Sequence, residues 1–106
     1  MLDLNHPLTR FVFEASRYED EIRRRLVAFP AASPDVREQL LREILAGPLP
    51  ELRRLLRERF DNRPGIARKL DAIESAVQLK RPIEELWAAF RALDELSQDT
   101  FRTAFI

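Results

Sequence analysis

Residues 11–29 read FVFEASRYEDEIRRRLVAF, and their spacing decides the fold class. Phe11, Ala15, Tyr18, Ile22, Leu26 and Phe29 recur every three or four positions, the period that stacks side chains on one side of an α-helix. Glu19, Asp20, Glu21, Arg23, Arg24 and Arg25 read as a solvated face. Glu19–Arg23 and Glu21–Arg25 stand at i,i+4, where an ion pair adds about 0.2–0.5 kcal/mol to a helix. Val12 and Phe13 widen the apolar side, Phe13 fitting the stripe least well. The pattern predicts a helix over about Leu8 to Phe29, ended by Pro30, which lacks a backbone donor and restricts the residue before it.

The same logic extends outward. Ser33-Pro34-Asp35 is a helix-start signal: a hydroxyl to cap, a proline suited to the first helical position and an acid for the positive end of the dipole. Val36, Leu40, Leu41, Ile44 and Leu45 mark the inward side of this second helix, which Gly47-Pro48 stops, with Gly47 available for a left-handed cap. A short third helix is expected over about Glu51 to Phe60, with Leu52, Leu55, Leu56 and Phe60 inward. Asp61-Asn62-Arg63-Pro64-Gly65 breaks the chain again. A fourth helix follows, about Pro64 to Leu79, on Ile66, Leu70, Ile73 and Val77, with Ala67, Ala72 and Ala76 keeping it slender. The last starts at Pro82 and runs through Ile83, Leu86, Trp87, Phe90, Leu93 and Leu96; Ser97-Gln98-Asp99-Thr100 interrupts its apolar run before Phe101, Ala104 and Phe105 resume it.

Each stripe must be buried against another, so the expectation is an all-α, compact four- to five-helix bundle. Residues 1–106 form one helical domain in this reading, with 1–7 extended and 101–106 a docked tail. Apolar residues are 45% of the chain and charged residues 34%, enough of each for a core and a surface. No fixed period marks a helical-repeat array.

Composition removes several chemistries. Without cysteine there is no disulfide, thiolate metal site or thiol nucleophile. The single histidine, His6, reads as structural or neutral, and a zinc site would need carboxylates or a symmetry mate. Glu84-Glu85 point in adjacent directions rather than together. Asp71 and Glu74 share a face at i,i+3 but lack the accompanying histidine of a carboxylate metal motif. Ser16, Ser33, Ser75 and Ser97 have no histidine base placed beside them, and no glycine-rich phosphate loop is present. The expectation is a non-enzymatic protein without cofactors. The start of the chain has no basic-then-apolar leader and no window reaches about 20 apolar residues, so a cytoplasmic protein with no membrane partner is expected.

Formal charge is zero, 18 basic residues against 18 acidic. The distribution is uneven. Arg53, Arg54, Arg57, Arg59, Arg63, Arg68 and Lys69 make the middle locally positive, while Glu84, Glu85, Asp94, Glu95 and Asp99 make the last helix acidic. Two functional readings follow. The favoured one is a protein-interaction or adaptor module, acting as a homodimer or complex subunit, with Phe13, Phe101, Phe105 and Ile106 at the interface. Arg53, Arg54, Arg57, Arg63, Arg68 and Lys69 would then form a charged surface complementary to an acidic partner. The alternative is a small helical nucleic-acid-binding regulator that uses this basic region, its third and fourth helices forming a helix–turn–helix. Zero net charge, and Asp71 and Glu74 following Arg68 and Lys69, weigh against that alternative.

Overall fold

The computed structural model describes the backbone of residues 7–60 and 64–104, with side chains over 9–59 and 65–99 and at 102. The fold is all-α. Helix α1 spans Pro7–Ala28 and passes through a 3-10 turn, Phe29–Ala31, into α2, Pro34–Ala46; α3 is Pro48–Phe60, α4 is Pro64–Gln78 and α5 is Ile83–Ala104. The described residues contain no strand.

Local chemistry accounts for the boundaries. The Ser33 hydroxyl accepts from the Val36 amide at 3.3 Å, with Pro34 opening α2. Arg37 fixes the preceding turn from outside: its Nε donates to the Phe29 carbonyl at 3.0 Å, its terminal nitrogen to that of Pro30 at 2.8 Å, and its guanidinium lies over the Phe29 ring. Helix α3 starts three residues earlier than its apolar pattern suggested. Pro48 and Pro50 both fall in its first turn, where backbone amides have no partner within the helix, so neither proline costs a bond.

Gly47 separates α2 from α3 without entering the left-handed region, at φ −118° and ψ −93°. Its amide closes α2 on the Glu43 carbonyl at 3.0 Å, and a Cβ there would sit 3.2 Å from that same oxygen. The left-handed residue of the described chain is instead Lys80, at φ 53°. The Lys80 amide reaches the Val77 carbonyl at 3.1 Å and the Arg81 amide reaches that of Ala76 at 3.0 Å, the paired bonds that end a helix tightly. Helix α5 then runs unbroken to Ala104, so Ser97-Gln98-Asp99-Thr100 does not interrupt the backbone.

Helices α4 and α5 pack along each other, α1 lies on α3, α2 on α3, and α1 meets α5 over a smaller seam. Phe11, Ala15, Ile22 and Leu26 of α1 join Ile44, Leu52, Leu56, Leu70, Ile73, Leu86, Phe90 and Leu93 in one core. Burying such a side chain contributes about 1.5–3 kcal/mol. Several positions depart from the stripes. Val36 is exposed rather than inward, Tyr18 and Phe29 are half-buried, Ala67 and Ala72 face out while Ala76 faces in, and Trp87 is half-buried beside a fully buried Phe90. No helix among the described residues is long and apolar enough to cross a membrane.

Candidate functional site: the α1 face and the α1–α5 seam

Helix α1 is long enough to present two different surfaces. On the outer one, Phe13 is 56% exposed, far out of line with the buried Phe11 two residues before it. Phe13, Ser16, Arg17, Asp20, Arg23 and Arg24 line a shallow groove there, an aromatic ring set among three guanidinium groups and one carboxylate. Across the seam, Asp94, Glu95, Gln98 and Asp99 of α5 line a second groove with Lys69 and Arg102.

Between the two grooves, Arg23 joins the helices. It pairs with Asp20 on its own helix and lies 3.6 Å from the Asp94 carboxylate on α5. Its guanidinium also stands 5.3 Å over the Phe90 ring, an arrangement that favours a cation over a ring face.

Glu19 overturns the solvated-face reading of the charged run on α1. It is 2% exposed, directed into the seam, where its carboxyl meets that of Asp94 and the hydroxyl of Ser97. Ser97 is itself fully buried, on the same stripe of α5 as Leu86, Phe90 and Leu93. Oε1 of Glu19, Oδ1 of Asp94 and Oγ of Ser97 are all shut off from solvent without a hydrogen-bond partner of regular geometry. Burial, and then the neighbouring Asp94, push the Glu19 carboxyl up from an ordinary 4.5 to about 8; Ser97 and Arg23 pull the other way without offsetting them. One signal in the sequence points to this site. Glu19 is four residues after Ala15 and three before Ile22, which puts it on the edge of the buried stripe.

The basic region is organised differently from a free cationic surface. Arg53 reaches from α3 to α4, 2.9 Å from Asp71 and 2.6 Å from Glu74. Arg54 is taken up along its own helix by Glu51 and Glu58, each at 3.0 Å. Arg57 is exposed in a shallow groove with Pro50, Arg53, Arg54 and Glu58; Arg68 and Lys69 are exposed on α4. Of the expected interface residues, Phe13 is the one whose side chain is described. Phe101 belongs to α5 but its side chain lies outside the described set, as do Arg63, Phe105 and Ile106 altogether.

Among the described residues no group of three or more His, Asp or Glu side chains is placed to hold a metal ion. No protein-family model matches the chain, and no match was found among curated proteins or solved structures.

Proposed function

We propose that this chain is a non-enzymatic helical interaction module, acting in the cytoplasm, that pairs with a second copy of itself through the outer face of α1. The observation that carries the reading is Phe13, a large aromatic side chain more than half exposed in the groove with Arg17, Arg23 and Arg24. Aromatic and arginine side chains are the residues that most often anchor protein interfaces. A second copy offers partly matching chemistry, since its α5 groove carries Glu95 and Asp99 beside Lys69 and Arg102. Complementary charge of this kind steers and orients pairing.

Light scattering across a dilution series tests the proposal. The wild-type chain is expected to show dimer mass in the micromolar range, and Phe13→Glu to show monomer mass with an unchanged helical circular-dichroism spectrum. A wild-type chain that stays monomeric throughout that range would remove the self-pairing. The nucleic-acid alternative has less behind it. Arg53 and Arg54 are engaged by carboxylates, which leaves Arg57, Arg68 and Lys69 among the described residues as a small footprint on a chain of zero net charge. Fluorescence-anisotropy titration with duplex DNA and single-stranded RNA at low salt decides it; binding that Arg57→Glu abolishes would restore that alternative.

A further inference from the structure

We infer that Glu19, Asp94 and Ser97 form a proton-dependent latch, which holds the second half of α5 on α1 while one proton is shared between the two carboxyls and lets it go when that proton is lost.

The geometry sets the requirement. One side-chain oxygen each of Glu19, Asp94 and Ser97 is shut off from water where the two helices meet, and the Ser97 hydroxyl is the one of the three groups that always carries a hydrogen to donate. Two ionised carboxylates side by side would repel at short range and would share few donors, the Ser97 hydroxyl and the Arg23 guanidinium. A proton on Glu19 resolves both problems, because a carboxylic acid donates one hydrogen bond and removes one negative charge. Asp94 is the natural acceptor, since its carboxylate is the one that Arg23 approaches.

The surrounding charges do not supply an alternative. The charged groups acting on Glu19 are Asp94 from α5 and Arg23 from its own helix; α2 and α3, also packed on α1, contribute none among the described residues. Arg23 is already committed to Asp20 and Asp94 and lies over the Phe90 ring. On deprotonation the proton passes to solvent, and one guanidinium then faces three carboxylates, Asp20, Asp94 and Glu19.

The fold determines which part yields. Helix α5 has its larger contact with α4 and its smaller one with α1. Leu86, Phe90 and Leu93, about one to three turns before Ser97, are buried in the main core. Release therefore parts α5 from α1 around Asp94 and Ser97 and leaves that segment held by α4 alone, where Leu96 lies against Gly65. Burial and the neighbouring Asp94 push the Glu19 carboxyl up to about 8, which puts the expected transition between pH 6 and pH 9.

Hydrogen exchange read by mass spectrometry, corrected for the intrinsic pH dependence of exchange, tests the latch on the full chain at pH 6 and pH 9. Protection of peptides covering residues 94–104 is expected to fall at least ten-fold from the lower to the higher pH in the wild type, with peptides from α4 unchanged. Glu19→Gln keeps the shape and a donor without a titrating proton, so its protection should be the same at both pH values. Carbon-13 carboxyl NMR of the wild type provides a second readout that needs no variant: the Glu19 resonance should titrate well above the ordinary carboxylate range. Equal wild-type protection at the two pH values overturns the latch. So does an equal loss in Glu19→Gln, or a Glu19 resonance that titrates near 4.5.

Discussion

Arg53 on α3 and Glu74 on α4 are joined at 2.6 Å across the helix pair that the sequence pattern offered as a nucleic-acid reader. The Asp71 carboxylate is ion-paired with the other terminal nitrogen of the same guanidinium at 2.9 Å. A fork of this kind uses the planar donor geometry that lysine lacks. The bridge makes Arg53 part of the α3–α4 packing.

Arg53→Gln should therefore lower stability, by about 1 kcal/mol once the partial exposure of both partners is allowed for. Urea denaturation measures the change, and Arg53→Lys should recover less than half of it. A double-mutant cycle with Glu74→Gln should show coupling between the two positions. Additive effects would mean that the bridge contributes nothing beyond its separate charges.

The pH dependence of stability should carry the sign of a raised acid. Glu19 is held near 8 in the folded chain against an ordinary 4.5, so over that interval the native state keeps a proton that the unfolded state has lost. Its contribution is complete below about pH 4.5, falls as pH rises and is gone above about 8, an effect on the order of a few kcal/mol. Glu38 and Glu85, lowered by hydrogen bonds from Lys80 and Arg42 and from Arg81, work in the opposite sense below 4.5. Urea midpoints should thus be highest on the mildly acidic side and decline toward pH 9, while those of Glu19→Gln stay level across the same interval. A wild-type midpoint that rose from pH 5 to pH 8 would contradict the assignment.

Trp87 and Phe90 both lie on the apolar stripe of α5, but they should not be equally costly to remove. Their rings meet edge to face with centroids 6.3 Å apart, Phe90 buried and Trp87 half-buried with Arg91 near its ring. Phe90→Ala should cost about 3–5 kcal/mol. Trp87→Ala should cost clearly less, against the expectation from size alone. Equal losses in thermal or urea denaturation would show Trp87 to be a core anchor after all.

Lys80 holds a backbone conformation that suits glycine, and its side chain gains an exposed pair with Glu38 at 3.3 Å. Relief of the left-handed strain should outweigh that pair, so Lys80→Gly is expected to stabilise the chain by about 0.5 kcal/mol. A lower urea midpoint in the variant would refute this ordering of the two effects.

The parts legible in the sequence are those controlled by near neighbours. Ser33-Pro34, Gly47-Pro48 and Pro64-Gly65 act within a turn of themselves, so the breaks between helices follow from chain chemistry alone. The core stripes of α1 and α5 follow from a period that tertiary packing respects. Glu19 was missed because three acidic and three basic residues crowd around one edge position, and which of them turns inward depends on where α5 crosses. Arg53 was assigned to the surface because its two carboxylate partners lie a helix away, though their shared face on α4 was visible from their spacing. The turn that closes α4 after Gln78 puts Lys80 in the left-handed conformation, and lysine gives no sign of that role.

Ser97 and Glu19 also discriminate between alignments of the bundle. A shift of α5 along α1 by one helical turn, about 5.4 Å, would bring Phe90 or Leu93 opposite Glu19 and leave its carboxyl among hydrocarbon. Apolar stripes made of Leu, Ile and Phe tolerate such a slip with modest loss, since one large aliphatic side chain replaces another. A buried polar pair does not, and it rejects the slipped neighbour more strongly than it stabilises the correct one. In a chain with so many interchangeable leucines, the least hydrophobic positions of the seam thus select the register in which the two terminal helices meet.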